Sequence, residues 1–164
     1  MSCYDKLYEW TSLANKANRM LSTHLVISHK NLDPKNVICN LDDPMLIVWE
    51  SAGYINTMHD LIEIALYCSK DETGNIDKER FFSFIAGYKK RTGEFQTDWA
   101  PVFENGFLGK LDWLEYNLKL SLWIECSDEE EQKMGTYHVI ETIKEIRSYA
   151  KTIPLIVNWF DTEE

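Results

Sequence analysis

The 164-residue sequence lacks cysteine pairs, glycine-rich runs and long apolar segments. Its cysteines, Cys3, Cys39, Cys68 and Cys126, lie far apart with no C-x-x-C pair, which argues against a structural zinc site and predicts buried, reduced thiols. No apolar run is long enough to cross a bilayer, and the opening MSCYDKLYEW lacks the basic and apolar regions of a signal peptide. These absences predict a cytoplasmic protein that does not enter membranes.

Positive charge is also scarce. Seventeen Lys and Arg stand against 27 Asp and Glu, for a net charge of −10. Nucleic-acid binding needs clustered cations, so this composition argues against a nucleic-acid partner. The apolar fraction of 45% excludes a disordered chain, and the length predicts a single domain over residues 1–164.

Apolar residues that recur every three or four positions predict a mainly helical chain. A first helix is expected over residues 4–22, before a polar loop. The second helix is expected over Thr57–Ser69, and a third begins after a cap at Asp77. A long helical stretch is expected over Asp98–Glu125, with breaks near Gly106 and Gly109. Another helix runs from a capping box at residues 127–130 to about Lys151, and Pro154 opens a short last one.

Two short strands are predicted around a turn at residues 40–44. They cover Val37–Cys39 and Met45–Val48, and the continuous apolar run of the second predicts burial on both faces. Residues 51–54 are expected to form a turn. The predicted fold class is mainly α with a small β-hairpin (α+β), divided into a helix (1–24), a loop and hairpin (25–50) and a helical subdomain (54–164).

The stretch from Ile27 to Glu50 carries a recognisable spacing. His29, Asn31 and Asn36 follow the pattern H-x-N-x-x-x-x-N, and Val48 stands twelve residues after Asn36 in the run I-V-W-E. The kinase catalytic loop has the form H-x-D-x-x-x-x-N, in which the Asp is the base and the Asn holds magnesium. With W-E-S-A-G-Y directly after Ile47-Val48 and helices through FLGKLDWLEYNLKLSLW, this layout resembles the aminoglycoside phosphotransferase family, small-molecule relatives of the protein kinases.

The resemblance implies a protein-kinase-like fold and covers the helical C-terminal lobe. The family's nucleotide-binding N-terminal lobe has no counterpart in these residues. About 28 residues precede the loop, with no G-x-G-x-x-G run and no Val-Ala-Ile-Lys-like strand. We therefore expect a protein without the N-lobe, truncated relative to the family.

The resemblance also assigns positions within the loop. Asn31 stands at the position of the catalytic base, Val48 at that of the metal-binding Asp, and Asn36 at that of the magnesium amide ligand. His29 supports the loop. An amide does not take a proton at neutral pH and a hydrocarbon does not bind a hard cation, so we expect the base and the metal site both to be lost.

Asp33 and Glu50 are the candidate substrate contacts beside this loop. The expected function is a catalytically inactive phosphotransferase-like protein that needs no cofactor, although the family uses ATP and magnesium. Such a protein would form a homodimer or bind another protein through exposed apolar surface. The alternative is a small-molecule kinase subunit that is active only with a separately encoded nucleotide-binding lobe, and a third reading is weak aminoglycoside binding.

Overall fold

The computed structural model describes residues 3–40 and 43–162, without the side chains of Asn40 and Asp161. The described chain is mainly helical with two small antiparallel sheets, which confirms the α+β prediction at that level. Its elements in order are α1 (Cys3–Leu21), β1 (Leu25–Ser28), β2 (Val37–Asn40), β3 (Asp43–Leu46), β4 (Gly53–Asn56), α2 (Thr57–Cys68), α3 (Lys78–Thr92), α4 (Trp99–Asn105), α5 (Phe107–Ser121) and α6 (Glu129–Thr162), with short 3₁₀ turns at Pro34–Asn36 and Trp49–Ser51.

The described residues separate into two compact units. The first unit combines Met1–Asn18 with Trp99–Glu164, and the second unit is Arg19–Asp98. α1 contributes its last residues to the second unit. The prediction of one domain over residues 1–164 stays a prediction.

The first unit is built on α5 and α6, which lie side by side over much of their length. A Cβ added at Gly135 of α6 would lie 2.6 Å from the Leu120 Cβ of α5, so the two helices approach as closely as a glycine permits. A hydroxyl pair links them at Ser121 and Thr136, 2.8 Å apart. The apolar core of this unit is aromatic and aliphatic, comprising Val102, Phe103, Phe107, Leu114, Leu120, Ile146, Tyr149 and Ile156.

The second unit joins the helical hairpin of α2 and α3 to the two sheets. One face of each helix is buried, as their apolar periodicity predicted, and the buried residues are Leu61, Ile62, Ala65, Leu66, Phe81 and Ile85. Asn56 caps α2 by accepting from the backbone N–H of Met58 and His59, and Asp77 caps α3 by accepting from that of Arg80. The two caps fix where α2 begins after β4 and where α3 begins after α2.

Several helix boundaries differ from the predictions, and α5 ends at Ser121 instead of Glu125. α6 continues through Pro154 without a new start, because the residues after the proline are held by packing: Ile156 is buried and the Phe160 ring stacks on Trp99 at 4.2 Å. Helical structure breaks at Gly106 but not at Gly109, which lies inside α5.

The N-cap of α6 lies one residue after the predicted position. Asp128 accepts from the backbone N–H of Glu131 at 2.9 Å, and the Glu131 carboxylate accepts from that of Ser127 at 2.7 Å. Asp128 therefore caps the helix, and the reciprocal pair expected between residues 127 and 130 is replaced by a bond from Glu131 to the residue before the cap.

The strand predictions are only partly right. The hairpin of β2 and β3 exists, but β3 begins at Asp43 and ends at Leu46, so Ile47 and Val48 lie outside it. The expectation that the second strand is buried on both faces is wrong, because a two-stranded sheet has no inner strand and Met45 is exposed. Leu41 and Asp42 of the predicted turn lie outside the described residues.

β4 was missed, since residues 51–54 were read as a turn. It pairs with β1 over its whole length, with Ser28 opposite Gly53 and Leu25 opposite Asn56. The four-residue strand is too short to show clear alternation, and its partner lies more than twenty positions away in sequence. The helical subdomain predicted from residue 54 therefore begins with the end of a strand.

The thiols are free but not buried. Cys3, Cys39 and Cys68 are exposed and Cys126 is half-buried, so the expectation of burial is wrong. Within residues 3–40 and 43–162, no helix has the length and hydropathy to cross a membrane.

Candidate functional site

The loop between β1 and β2 is held to the segment after β3 by two hydrogen bonds. His29 Nε2 lies 2.8 Å from the Ile47 carbonyl oxygen, and the Ile47 N–H donates to the Asn36 carbonyl at 3.0 Å. The β2–β3 hairpin makes this return possible, because it brings Leu46 opposite Val37 and leaves Ile47 beside the loop. His29 and Asn36 therefore belong to one hydrogen-bonded unit with Ile47, the residue before Val48.

His29 is the buried anchor of that unit, with 4% of its surface exposed. Its ring packs edge-on against Trp49, with ring centres 4.8 Å apart. A carbonyl can only accept, so Nε2 donates this hydrogen bond. Nδ1 is buried and has no hydrogen-bond partner in the described part of the chain.

Asn36 is equally buried and bonds to the loop itself. Its Nδ2 donates to the Asn31 carbonyl oxygen at 2.9 Å, which closes the turn between them. The half-buried Asn31 side chain makes no hydrogen bond within the ranges that the structure describes. Asn31 therefore contributes its main chain to the loop and leaves its amide available.

Val48 adopts the left-handed backbone conformation, with φ 66° and ψ 61°. A β-branched residue seldom occupies this region, whereas Asn and Asp enter it several times more often. The expectation that Val48 ends a buried strand is wrong: it precedes the 3₁₀ turn at Trp49 and is 38% exposed. Lys30, beside His29, shares the left-handed conformation at φ 59°.

Asp33 is occupied by local contacts. Its carboxylate accepts from the Lys35 N–H at 3.0 Å and from the Tyr67 hydroxyl at 2.9 Å, and it lies 3.0 Å from the Lys35 ammonium. The hydrogen bond from the Lys35 backbone, followed by that from its side chain and that from Tyr67, lowers the Asp33 pKa. The same contact with Asp33 raises the pKa of Tyr67 and of Lys35. Asp33 therefore caps the 3₁₀ turn at Pro34–Asn36.

Glu50 is exposed and makes no hydrogen bond or ion pair with any described residue. The described ranges contain no group of three or more His, Cys, Asp or Glu side chains that could hold a metal ion. The loop thus presents an amide at Asn31 and a hydrocarbon at Val48. The amide is not a general base, and the hydrocarbon has no oxygen with which to bind a hard cation.

Two supports of the site were not foreseen from the sequence. The Ser28 hydroxyl donates to the Asp60 carboxylate at 2.6 Å, which ties the end of β1 to α2. Tyr67 reaches Asp33 from the end of α2. Both contacts join residues more than thirty positions apart, and no local pattern marks such pairs.

In comparisons with known proteins, no family model, no curated protein and no solved structure matches the chain.

Proposed function

We propose that this chain is a catalytically inactive relative of the aminoglycoside phosphotransferases, formed as the helical lobe of a kinase-like fold, and that it acts by association. The observation that carries the proposal is the hydrogen-bonded loop. His29 is tied to the residue before Val48, and Asn36 is tied to Asn31. Three of the four positions that the kinase pattern relates by spacing, and the residue before the fourth, are thus joined by hydrogen bonds, which supports a common origin with a catalytic loop and a metal-binding segment.

The backbone at Val48 supports the same proposal. Its left-handed conformation suits Asp or Asn and strains a β-branched residue. Strained backbone of this kind is kept where the surrounding structure imposes it, and such positions cluster at functional sites. A backbone conformation that suits Asp better than Val supports the proposal that a metal ligand once stood at position 48.

Catalysis is not expected from these side chains. Loss of a positioned general base costs about 10²–10⁴-fold in rate. Phosphoryl transfer depends further on a metal that neutralises the phosphate charge, and Val48 offers no oxygen for it. These losses belong to one catalytic unit, so their costs do not simply add.

Association is proposed through the apolar face of the β1–β4 sheet. Leu25 and Ile27 alternate onto one face of β1, and Tyr54 lies opposite Ile27 on β4. All three are exposed, Ile27 by 69% and Tyr54 by 71%. Contiguous apolar surface of this kind marks interaction sites, and a homodimer covers it with an identical face. The free, mostly exposed thiols support a reducing, cytoplasmic setting.

Thermal denaturation of the purified chain with magnesium and ATP, and in parallel with kanamycin, tests whether the nucleotide, metal and substrate sites are lost. A ligand that binds the folded state raises the melting midpoint by mass action. We expect no change with either ligand. A magnesium-dependent rise with ATP would contradict the loss of the metal site and support the alternative of a kinase subunit.

Sedimentation velocity tests the association separately. We expect a concentration-dependent dimer that Tyr54→Asp dissociates, because a charge at the centre of an apolar interface is left unpaired. Tyr8→Asp is the matched control, since Tyr8 on α1 is also 71% exposed but lies in the first unit. A monomer at every concentration, or equal effects of the two substitutions, would contradict the proposed interface.

A further inference from the structure

The turn between α5 and α6 exposes three consecutive large apolar side chains. Leu122, Trp123 and Ile124, here called the apolar tip, are 63%, 54% and 65% exposed. Runs of three exposed apolar residues are unfavourable on a surface that has no partner. The apolar tip lies wholly in the first unit and plays no part in the proposed phosphotransferase loop.

The backbone conformation of the apolar tip is unfavourable for a tryptophan at position 123. The Ile124 N–H donates to the Lys119 carbonyl at 2.9 Å and the Trp123 N–H to the Leu120 carbonyl at 3.1 Å, which is the Schellman ending of a helix. In that motif Trp123 occupies the left-handed position, at φ 58°, where glycine is usual. A bulky residue is disfavoured there, and exposure of the indole denies it the compensation of burial. Folding of the first unit therefore does not explain a tryptophan at this position.

Negative charge is concentrated around the apolar tip. Residues 110–133 contain seven Asp and Glu and three Lys, a net charge of −4 out of −10 for the chain. Lys119 is already shared by Glu115 and Glu125, each 3.3 Å away, and Lys133 lies 3.5 Å from Glu129. Glu130 is exposed and has no ion pair with any residue in the described ranges.

The negative charge around the apolar tip favours some binding partners over others. A second copy would bring an equal charge of −4 against the first, and an anionic bilayer would be repelled in the same way. A partner that carries Lys or Arg around apolar side chains gains from both the acidic rim and the exposed indole. Tryptophan is also the residue most enriched at the energetic centre of protein interfaces.

We propose that the apolar tip is a docking site for a basic amphipathic helix of another protein, whose apolar face covers Trp123 and whose cations meet the surrounding carboxylates. The inference goes beyond the proposed function, because it uses only the first unit and holds whether or not the loop descends from a phosphotransferase. It also accounts for the strained tryptophan, which is unfavourable for folding and favourable for binding.

A synthetic amphipathic helix of leucine and lysine, about four turns long, serves as the probe. Its affinity for the full chain is measured by fluorescence anisotropy, beside a scrambled peptide of the same composition and a peptide with glutamate in place of lysine. We expect the amphipathic basic peptide to bind at least about tenfold more tightly than either control, with an affinity that falls as salt rises. Equal binding of the scrambled peptide would overturn the proposal, since bulk charge alone would then suffice.

Substitutions locate the site. We expect Trp123→Gly to weaken peptide binding at least about tenfold and, in the same sample, to raise the melting midpoint, because glycine suits the left-handed position. Glu130→Gln should weaken binding less and flatten its salt dependence. Leu155→Ala on α6, where Leu155 is similarly exposed, should leave binding unchanged.

Three results would overturn the proposal. Unchanged peptide affinity in Trp123→Gly would place binding elsewhere, and a lowered melting midpoint would remove the argument from strain. Tighter association with vesicles of phosphatidylcholine and phosphatidylserine than with the peptide, lost in Trp123→Gly, would make the apolar tip a membrane contact instead.

Discussion

Gly135→Ala should destabilise the protein even though alanine is the better helix former. Gly135 is buried in α6 against α5, and an added Cβ would lie 2.6 Å from the Leu120 Cβ, 3.0 Å from the Ser121 nitrogen and 3.1 Å from the Asn117 oxygen. Ordinary Cβ contacts begin at 3.4 Å. Two of the three atoms belong to the backbone of α5, so a side-chain rotation cannot relieve the overlap and the helices have to separate.

The size of the effect follows from two opposing contributions. Replacing glycine by alanine inside a helix favours folding by about 1 kcal/mol. Overpacking a tight contact costs about 1–3 kcal/mol, and separation would also stretch the bond between Ser121 and Thr136, now 2.8 Å, and that from Gln132 to the Ser121 carbonyl, now 3.0 Å. We expect a net loss of about 1–2 kcal/mol of unfolding free energy.

Urea denaturation followed by far-ultraviolet circular dichroism measures this loss. The slope of the unfolding free energy against urea concentration should not change, because the substitution alters stability and not the surface exposed on unfolding. Gly109→Ala in α5 is the matched control. An added Cβ there meets no described atom within 4 Å, so we expect a gain of about 0.5–1 kcal/mol from propensity alone. If both substitutions stabilise the protein equally, the close approach of α5 and α6 is wrong.

Three further predictions concern single contacts. Val48→Asn should stabilise the fold by about 1 kcal/mol by relieving the left-handed strain, whereas Val48→Ile should not; urea midpoints compare them, and a stabilising Ile would refute the strain. The Asp33 pKa is lowered in the folded state, so its contribution to stability is present above the unfolded value of about 3.9 and is lost as pH falls through the folded pKa. The melting midpoint of Asp33→Asn should therefore lie below the wild-type value at pH 7 and converge with it in acid; a constant gap would contradict the ionised cap. Tyr149→Phe should cost about 1 kcal/mol, because it removes a buried 2.7 Å hydrogen bond to the Phe103 carbonyl, while Tyr137→Phe at an exposed site should have no effect on the same denaturation curve; equal costs would indicate that the buried bond contributes nothing.

The loop residues that share a kinase-like spacing in the sequence also lie close together in the fold. Spacing alone related His29, Asn31, Asn36 and Val48, and the hydrogen bonds of the fold bring the first three and the neighbour of the fourth into contact. The contacts do not involve the side chains of Asn31 and Val48, because His29 bonds to the main-chain carbonyl of Ile47 and Asn36 to that of Asn31. The shape of the loop therefore does not require an Asp at either position.

The candidate site was only partly predictable. Asn36 lies in the loop between β1 and β2, and its side chain bonds to the Asn31 carbonyl five residues earlier, a contact between near neighbours in sequence. Asp33 was a candidate substrate contact by proximity in sequence, yet its carboxylate is taken up by Lys35 and by Tyr67 from another helix. No pattern within the loop reveals a hydroxyl that arrives from thirty residues away.

The sequence by itself determined the elements that depend on neighbours along the chain. Apolar periodicity placed α2, and the carboxylate of Asp77 placed the start of α3, because a helix and its cap are completed by hydrogen bonds within four residues. Tertiary structure alone decided the pairing of β4 with β1 and the exposure of β3, because register and burial depend on what lies opposite. It also carried α6 through Pro154, where packing with distant residues outweighs the proline's preference to end a helix.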